Sequence, residues 1–231
     1  MSSEHLSKIL VLISGTGTNL QALINATTSA PLQLPAKITH VIANLSQKAK
    51  PGLERASKVG IPTTVRTLKS YKDLVPQKYP SQNAAREAYD TDLADYILHQ
   101  LPTEQRPELV VCAGWMHILS PQFLGPLKEA GVPIINLHPA LPAEFNGAHA
   151  IDRAWQAAQE GKISKTGVMI HYVIEEVDEG QPIVVREVEI NSGETLEDLE
   201  ERIHKVEHVA IVDGTRIALQ KLREGKEGKD N

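Results

Sequence analysis

The sequence predicts one α/β domain with a parallel sheet in its N-terminal half, an antiparallel strand pair after it and a long C-terminal helix. Three observations carry this. Short β-branched runs alternate with longer amphipathic stretches through the first part of the chain, the rhythm of βαβ units. Two later strand-like runs, Thr166–Ile174 and Pro182–Ile190, are joined only by EEVDEGQ, too short for a parallel crossover. From Thr195 to Leu222, apolar residues including Leu196, Leu199, Ile203, Val206, Ala210 and Ile217 recur at helical spacing.

Taken in order, Ile9–Ile13 reads as a first strand followed by a helix over Asn19–Ala26, and Ile38–Ala43 as a second followed by a helix over Gly52–Val59. A helix near Ala84–His99 precedes a third strand, Leu109–Ala113, and a helix over Pro121–Glu129 follows it. Another apolar run, Val132–Leu137, gives way to a loop at Pro139. A helix over Ala150–Gln159 leads into the antiparallel pair, and the tail from residue 223 is expected to fray, so residues 8–222 form the ordered core of a domain spanning 1–231.

Composition sets the limits on function. The chain has 24 Lys and Arg against 29 Asp and Glu, a net charge of -5, with its basic residues spread out, which argues against a nucleic-acid partner. No segment approaches the roughly 20 apolar residues of a membrane span. The N-terminal residues carry no cleavage signal, and the lone Cys112 sits in an apolar run, so a cytoplasmic location is expected.

The segment Ser14-Gly15-Thr16-Gly17-Thr18-Asn19 follows the first strand and opens a helix. Glycines let backbone N–H groups approach an anion, and the helix N-terminus adds partial positive charge, so a phosphate can rest there without a lysine. A dinucleotide fingerprint needs a third glycine near Leu20 and an acidic residue where Asn44 stands, and a P-loop needs Gly-Lys-Ser/Thr. Alone, the segment could equally be a capped turn.

Asn136 and His138 lie two apart on an extended segment, so their side chains face one way. An amide donor and an imidazole can stabilise the oxyanion formed when an amine attacks a carbonyl carbon, while an acceptor takes the amine's proton. Each residue alone is equally compatible with a strand-end hydrogen bond. The joint Glu175-Glu176-Val177-Asp178-Glu179 supplies several carboxylates, and physics alone does not choose among them. His204-Lys205-Val206-Glu207-His208 matches a zinc-binding spacing, but no third ligand is evident and no metal is expected.

The runs Val11–Gln21, Ala113–Met116, Asn136–Pro142 and His171–Asp178 together resemble phosphoribosylglycinamide formyltransferases, most closely the fungal single-function enzymes, over Lys8–Leu222. The resemblance implies a Rossmann-like formyltransferase domain, acting as a monomer or homodimer on small-molecule substrates, with 10-formyltetrahydrofolate as co-substrate. It implies that Asn136, His138 and Asp178 are catalytic, and that Gly17, Thr18, Asn19 and Glu207 bind the phosphoribosylglycinamide. It places Arg86 at the folate's carboxylate tail, and Met116, His117, Ile118, Leu119 and Asn136 along the folate cleft.

Bacterial members carry Arg where His117 stands and Gln where His204 stands, and their counterpart of Thr67–Asn83 is shorter. Formyltetrahydrofolate hydrolase and methionyl-tRNA formyltransferase share the Asn, His and Asp arrangement, but each is expected to carry a domain this chain lacks. A non-catalytic nucleotide-binding module would use the glycine loop and leave Asn136 and His138 unexplained.

Overall fold

A computed structural model describes residues 6–31 and 33–227, so residues 1–5, covered by the N-terminal reading, and the tail residues 228–231 lie outside the described residues. The chain runs β1 (Ser7–Ile13), α1 (Thr18–Thr28), β2 (Ala36–Ala43), α2 (Lys50–Lys58), β3 (Thr63–Val65), α3 (Lys69–Lys72) and α4 (Gln82–Asp95). It continues through β4 (Leu109–Cys112), α5 (Pro121–Glu129), β5 (Ile134–His138), α6 (Ala150–Gln159), β6 (Lys165–Tyr172), β7 (Pro182–Glu189) and α7 (Leu196–Glu227).

The strands form one seven-stranded sheet in the order β3-β2-β1-β4-β5-β6-β7. β1 pairs in parallel with β2 and β4, and β5 in parallel with β4; β6 runs antiparallel to β5, and β7 to β6. The apolar run of β1 follows from its position, because a central parallel strand is covered on both faces. Ile9, Val11 and Ile13 enter a core with Leu20 and Leu23 of α1 and Leu199 and Ile203 of α7. Leu10 and Leu12, on the alternate face, join Tyr89 and Leu93 of α4 and Phe123 of α5.

Strand order reverses between β1 and β4, one leading to β2 and the other to β5. Loops leaving the carboxyl ends of these two strands diverge and open a crevice, the position where open α/β sheets take ligands. Two bonds stitch the loops across it: Ser14 N–H donates to Gly114 O (3.0 Å) and Met116 N–H to Ser14 Oγ (2.8 Å).

The parallel half, the antiparallel pair and the long helix stand as expected; the four-residue α3 has no counterpart in the sequence reading, and three further differences follow. β3, the three-residue edge strand TTV, has no counterpart in the sequence reading, being too short and too little buried to show a period. β6 leaves the sheet after Tyr172, earlier than the expected Ile174, and the following residues form a wall of the crevice. α7 extends to Glu227, past the Leu222 at which the helical spacing ends, and the Arg223 guanidinium donates to Ser7 Oγ (3.1 Å) and Pro35 O (3.1 Å).

Candidate active site

The crevice holds a cavity of about 430 Å³ lined by both loops, the end of β5, the segment after β6 and one face of α7. Its first wall is the glycine loop. Gly17 sits at the N-cap of α1 with φ 75, in the left-handed region that favours glycine. A Cβ there would also stand 2.7 Å from the Gly52 Cα of α2. Conformation and space both demand glycine, and no side chain caps the first turn of α1, so its amides stay open to an anion.

Asn19 is buried, and its Nδ2 donates to Glu207 Oε2 of α7 at 2.9 Å. That amide is thereby committed to Glu207 rather than to the anion position, while Asn19 Oδ1 is buried without a hydrogen-bond partner. Glu207 is itself buried, and burial raises its pKa above the ordinary carboxylate value; the Asn19 bond and the nearby His204 pull the other way. His204 is an exposed neighbour on the cleft, and His208 Nε2 is buried without a partner. Among the described residues no three His, Cys, Asp or Glu side chains gather to hold a metal ion.

The second wall gathers the polar pair of β5 around one carboxylate. Asn136 Nδ2 donates to Asp178 Oδ1 (3.3 Å), and His138 Nδ1 lies 3.3 Å from Asp178 Oδ2. Gly147 N–H donates to the same Oδ2 at 2.8 Å. His138 Nε2 meets the Glu144 carbonyl at 3.2 Å, which leaves both ring nitrogens facing acceptors.

Burial is the largest influence on the His138 pKa and brings it below the ordinary histidine value, against the opposing pull of Asp178 and the Glu144 carbonyl. For Asp178 burial is again the largest single influence and acts upward. Together, His171, the Gly147 amide and His138 outweigh it and hold the carboxyl below its usual range.

The third wall comprises Met116, His117, Ile118 and Leu119 with Val173–Asp178 opposite. Met116 is 65% exposed and Ile118 53%, large apolar groups presented to the cleft rather than packed away. His117 turns inward: its Nε2 lies 2.6 Å from Oδ1 of the fully buried Asp90. Oδ2 of Asp90 accepts from Ser120 N–H at 2.9 Å, so one carboxylate fixes both ends of the segment. Arg86 is not among the lining residues; its Nη2 donates to the Ile118 carbonyl at 2.6 Å and holds the wall from behind. Asp90, four residues after Arg86 on α4, is thus paired with His117.

Sequence reasoning missed His171 as a site residue. It is buried, stands directly opposite Asn136 in the β5–β6 register, and puts Nε2 3.4 Å from Asp178 Oδ1. The available signal was the polar residue at the end of an otherwise apolar strand. Also missed was the loop after β5, which supplies the Glu144 carbonyl and the Gly147 amide to the polar group.

Comparison with known proteins agrees with this geometry. The profile of the family described as formyl transferase matches residues 7–215. The "Phosphoribosylglycinamide formyltransferase" of Schizosaccharomyces pombe is 52% identical over 89% of this chain and 94% of its own length. The protein of the same name from Saccharomyces cerevisiae is 46% identical over 94% and 99%. The crystal structure of "glycinamide ribonucleotide transformylase 1" from Geobacillus kaustophilus superposes with a TM-score of 0.73 at 32% identity, covering 93% of this chain and 100% of that one. A glycine loop and an Asn-His-Asp group sharing one cleft, on a chain matched along most of its length, have one accounting: this chain belongs to the formyl transferase family, among the phosphoribosylglycinamide formyltransferases.

Proposed function

We propose that the chain transfers the formyl group of 10-formyltetrahydrofolate to the amine of 5'-phosphoribosylglycinamide, a cytoplasmic step of purine synthesis that yields tetrahydrofolate and the N-formyl product. The observation that carries this reading is the sharing of one cavity by Gly17, Thr18 and Asn19 with Asn136, His138 and Asp178. A phosphate at the α1 N-terminus leaves the rest of the same molecule to extend toward the polar group. The exposed apolar wall of Met116 and Ile118 suits a flat heteroaromatic ring, and Arg86 keeps further N–H groups for a carboxylate tail.

In this reading the amine nitrogen attacks the formyl carbon, the carbonyl electron pair moves onto oxygen, and the tetrahedral species then expels the folate N10. The incoming nitrogen loses one proton and N10 gains one. The ionised Asp178 accepts and returns protons, directly or through water. Asn136 Nδ2 donates to the oxyanion, and His138, its ring nitrogens facing Asp178 and Glu144, stabilises it by charge. A negative charge developing beside His138 opposes the effect of burial, so the imidazole can hold the proton that the incoming nitrogen loses, passed through Asp178, and return it by the same route to N10. Glu207, buried at the phosphate end, accepts from the ribose hydroxyls.

The test is a coupled assay with both substrates, run with and without a chelator and with the acceptor amine omitted. Amine-dependent release of tetrahydrofolate that survives the chelator supports the reading. Folate release without the amine would point to hydrolysis, and loss with chelator to a metal enzyme.

A further inference from the structure

The loop between β5 and α6 carries an unusual backbone. Ala143, Phe145 and His149 have φ of 65, 48 and 58, and Gly147 has φ 84. Three non-glycine residues in the left-handed region within one short loop persist only where surrounding contacts hold them. The same loop gives the Glu144 carbonyl to His138 and the Gly147 amide to Asp178. Whatever fixes this backbone fixes the two groups to which it is bonded.

One side chain makes three of the hydrogen bonds that hold the loop. Arg153, on the first turn of α6, reaches back over the loop, and its Nη2 donates to the Phe145 carbonyl and to the Asn146 carbonyl (2.8 Å). Its Nε donates to His149 O at 3.3 Å, and the guanidinium carbon lies 5.8 Å from the centre of the Phe145 ring. The planar fork therefore gathers carbonyls of 145, 146 and 149, on both sides of Gly147. Carbonyls turned toward one cation leave the Gly147 N–H facing the other way, toward Asp178.

We infer that Arg153 is a positioning residue for the transfer reaction, clamping the loop so that the Gly147 amide and the Glu144 carbonyl hold Asp178 and His138 in register. Arg153 is exposed, so its truncation opens no cavity in either core. A lysine in its place keeps the charge but cannot span three carbonyls with a planar fork. Its own charge also contributes to the low pKa of His138, as the smallest of several causes after burial.

The kinetic arm of the test rests on the formyl-transfer reading; a second arm does not. Arg153→Ala and Arg153→Lys are compared with the unaltered chain for kcat, KM, melting temperature and amide hydrogen exchange. Expected for R153A is a kcat lowered roughly 10- to 100-fold, with folate KM within about threefold and the melting temperature close to wild type. R153K or added guanidinium recovers part of the loss. Without any substrate, exchange of the Gly147 amide quickens at least about tenfold in R153A, while the amides of β5 keep their protection. Wild-type kcat with unchanged Gly147 exchange in R153A overturns the inference, as does a uniform loss of protection with no recovery by R153K. If the unaltered chain transfers no formyl group, the kinetic reading fails and the exchange arm still decides the clamp.

Discussion

Asn136 and His171 stand directly opposite each other across the β5–β6 pair, and both reach Oδ1 of Asp178, at 3.3 and 3.4 Å. The other carboxylate oxygen takes His138 and the Gly147 amide. Asp178 is thus the hub of the polar group, with two oxygens serving four partners from three segments of chain. Its own φ of 60 shows the turn bent to bring it there.

Asp178→Asn keeps the shape and removes the charge. The expected result is a kcat lower by roughly 10²- to 10⁴-fold with little change in either KM. An NMR titration of His138 should show its pKa lower still, since the charge opposing burial is gone. Asp178's folded pKa lies below its unfolded one, so its stabilisation is present above the ordinary carboxylate pKa of 3.8 and fades as pH falls through the depressed value. The melting-temperature gap between wild type and D178N should accordingly close in strong acid.

Gly17→Ala forces a side chain into the left-handed region and toward Gly52. It should cost about 1–3 kcal/mol of stability and raise KM for the phosphorylated substrate about tenfold or more. The folate KM should stay near wild type. A parallel rise in both would separate the glycine loop from the phosphate.

Glu207→Gln tests the buried carboxylate that accepts from Asn19 beside the glycine loop. The folded pKa of Glu207 is raised, so folding is favoured while the group stays protonated, below its unfolded pKa, and this contribution is lost as pH rises through the folded value. The amide variant should therefore melt higher than wild type at pH 8, and the advantage should shrink toward pH 5. The same variant should bind the ribose substrate more weakly. Melting curves across this pH range, paired with substrate titration, check both signs.

The frame of the fold was legible because its signals are local. The doubly buried β1 reads as unbroken apolar sequence, and the short joint between β6 and β7 excludes a crossover. β3 was not legible, since three half-exposed residues on a sheet edge carry no pattern. In the site, Gly17 and the Asn136–His138 pair announce themselves by spacing. The choice of Asp178 from its neighbouring carboxylates came only from resemblance, and His171 was missed, because both depend on the antiparallel register across β5 and β6. Asp90 and His117 meet across 27 residues, a pairing made by the packing of α4 on the loop before α5. Contacts of that kind arise from tertiary assembly, and no window along the chain contains them.

His138→Ala, followed by single-turnover transfer and by equilibrium binding of each substrate, tests most directly the claim that one cleft binds the phosphate and performs the chemistry. Transfer should fall roughly 10²- to 10⁴-fold, while both dissociation constants stay within about threefold of wild type. Near-normal transfer by H138A would contradict the account, whatever the binding constants show.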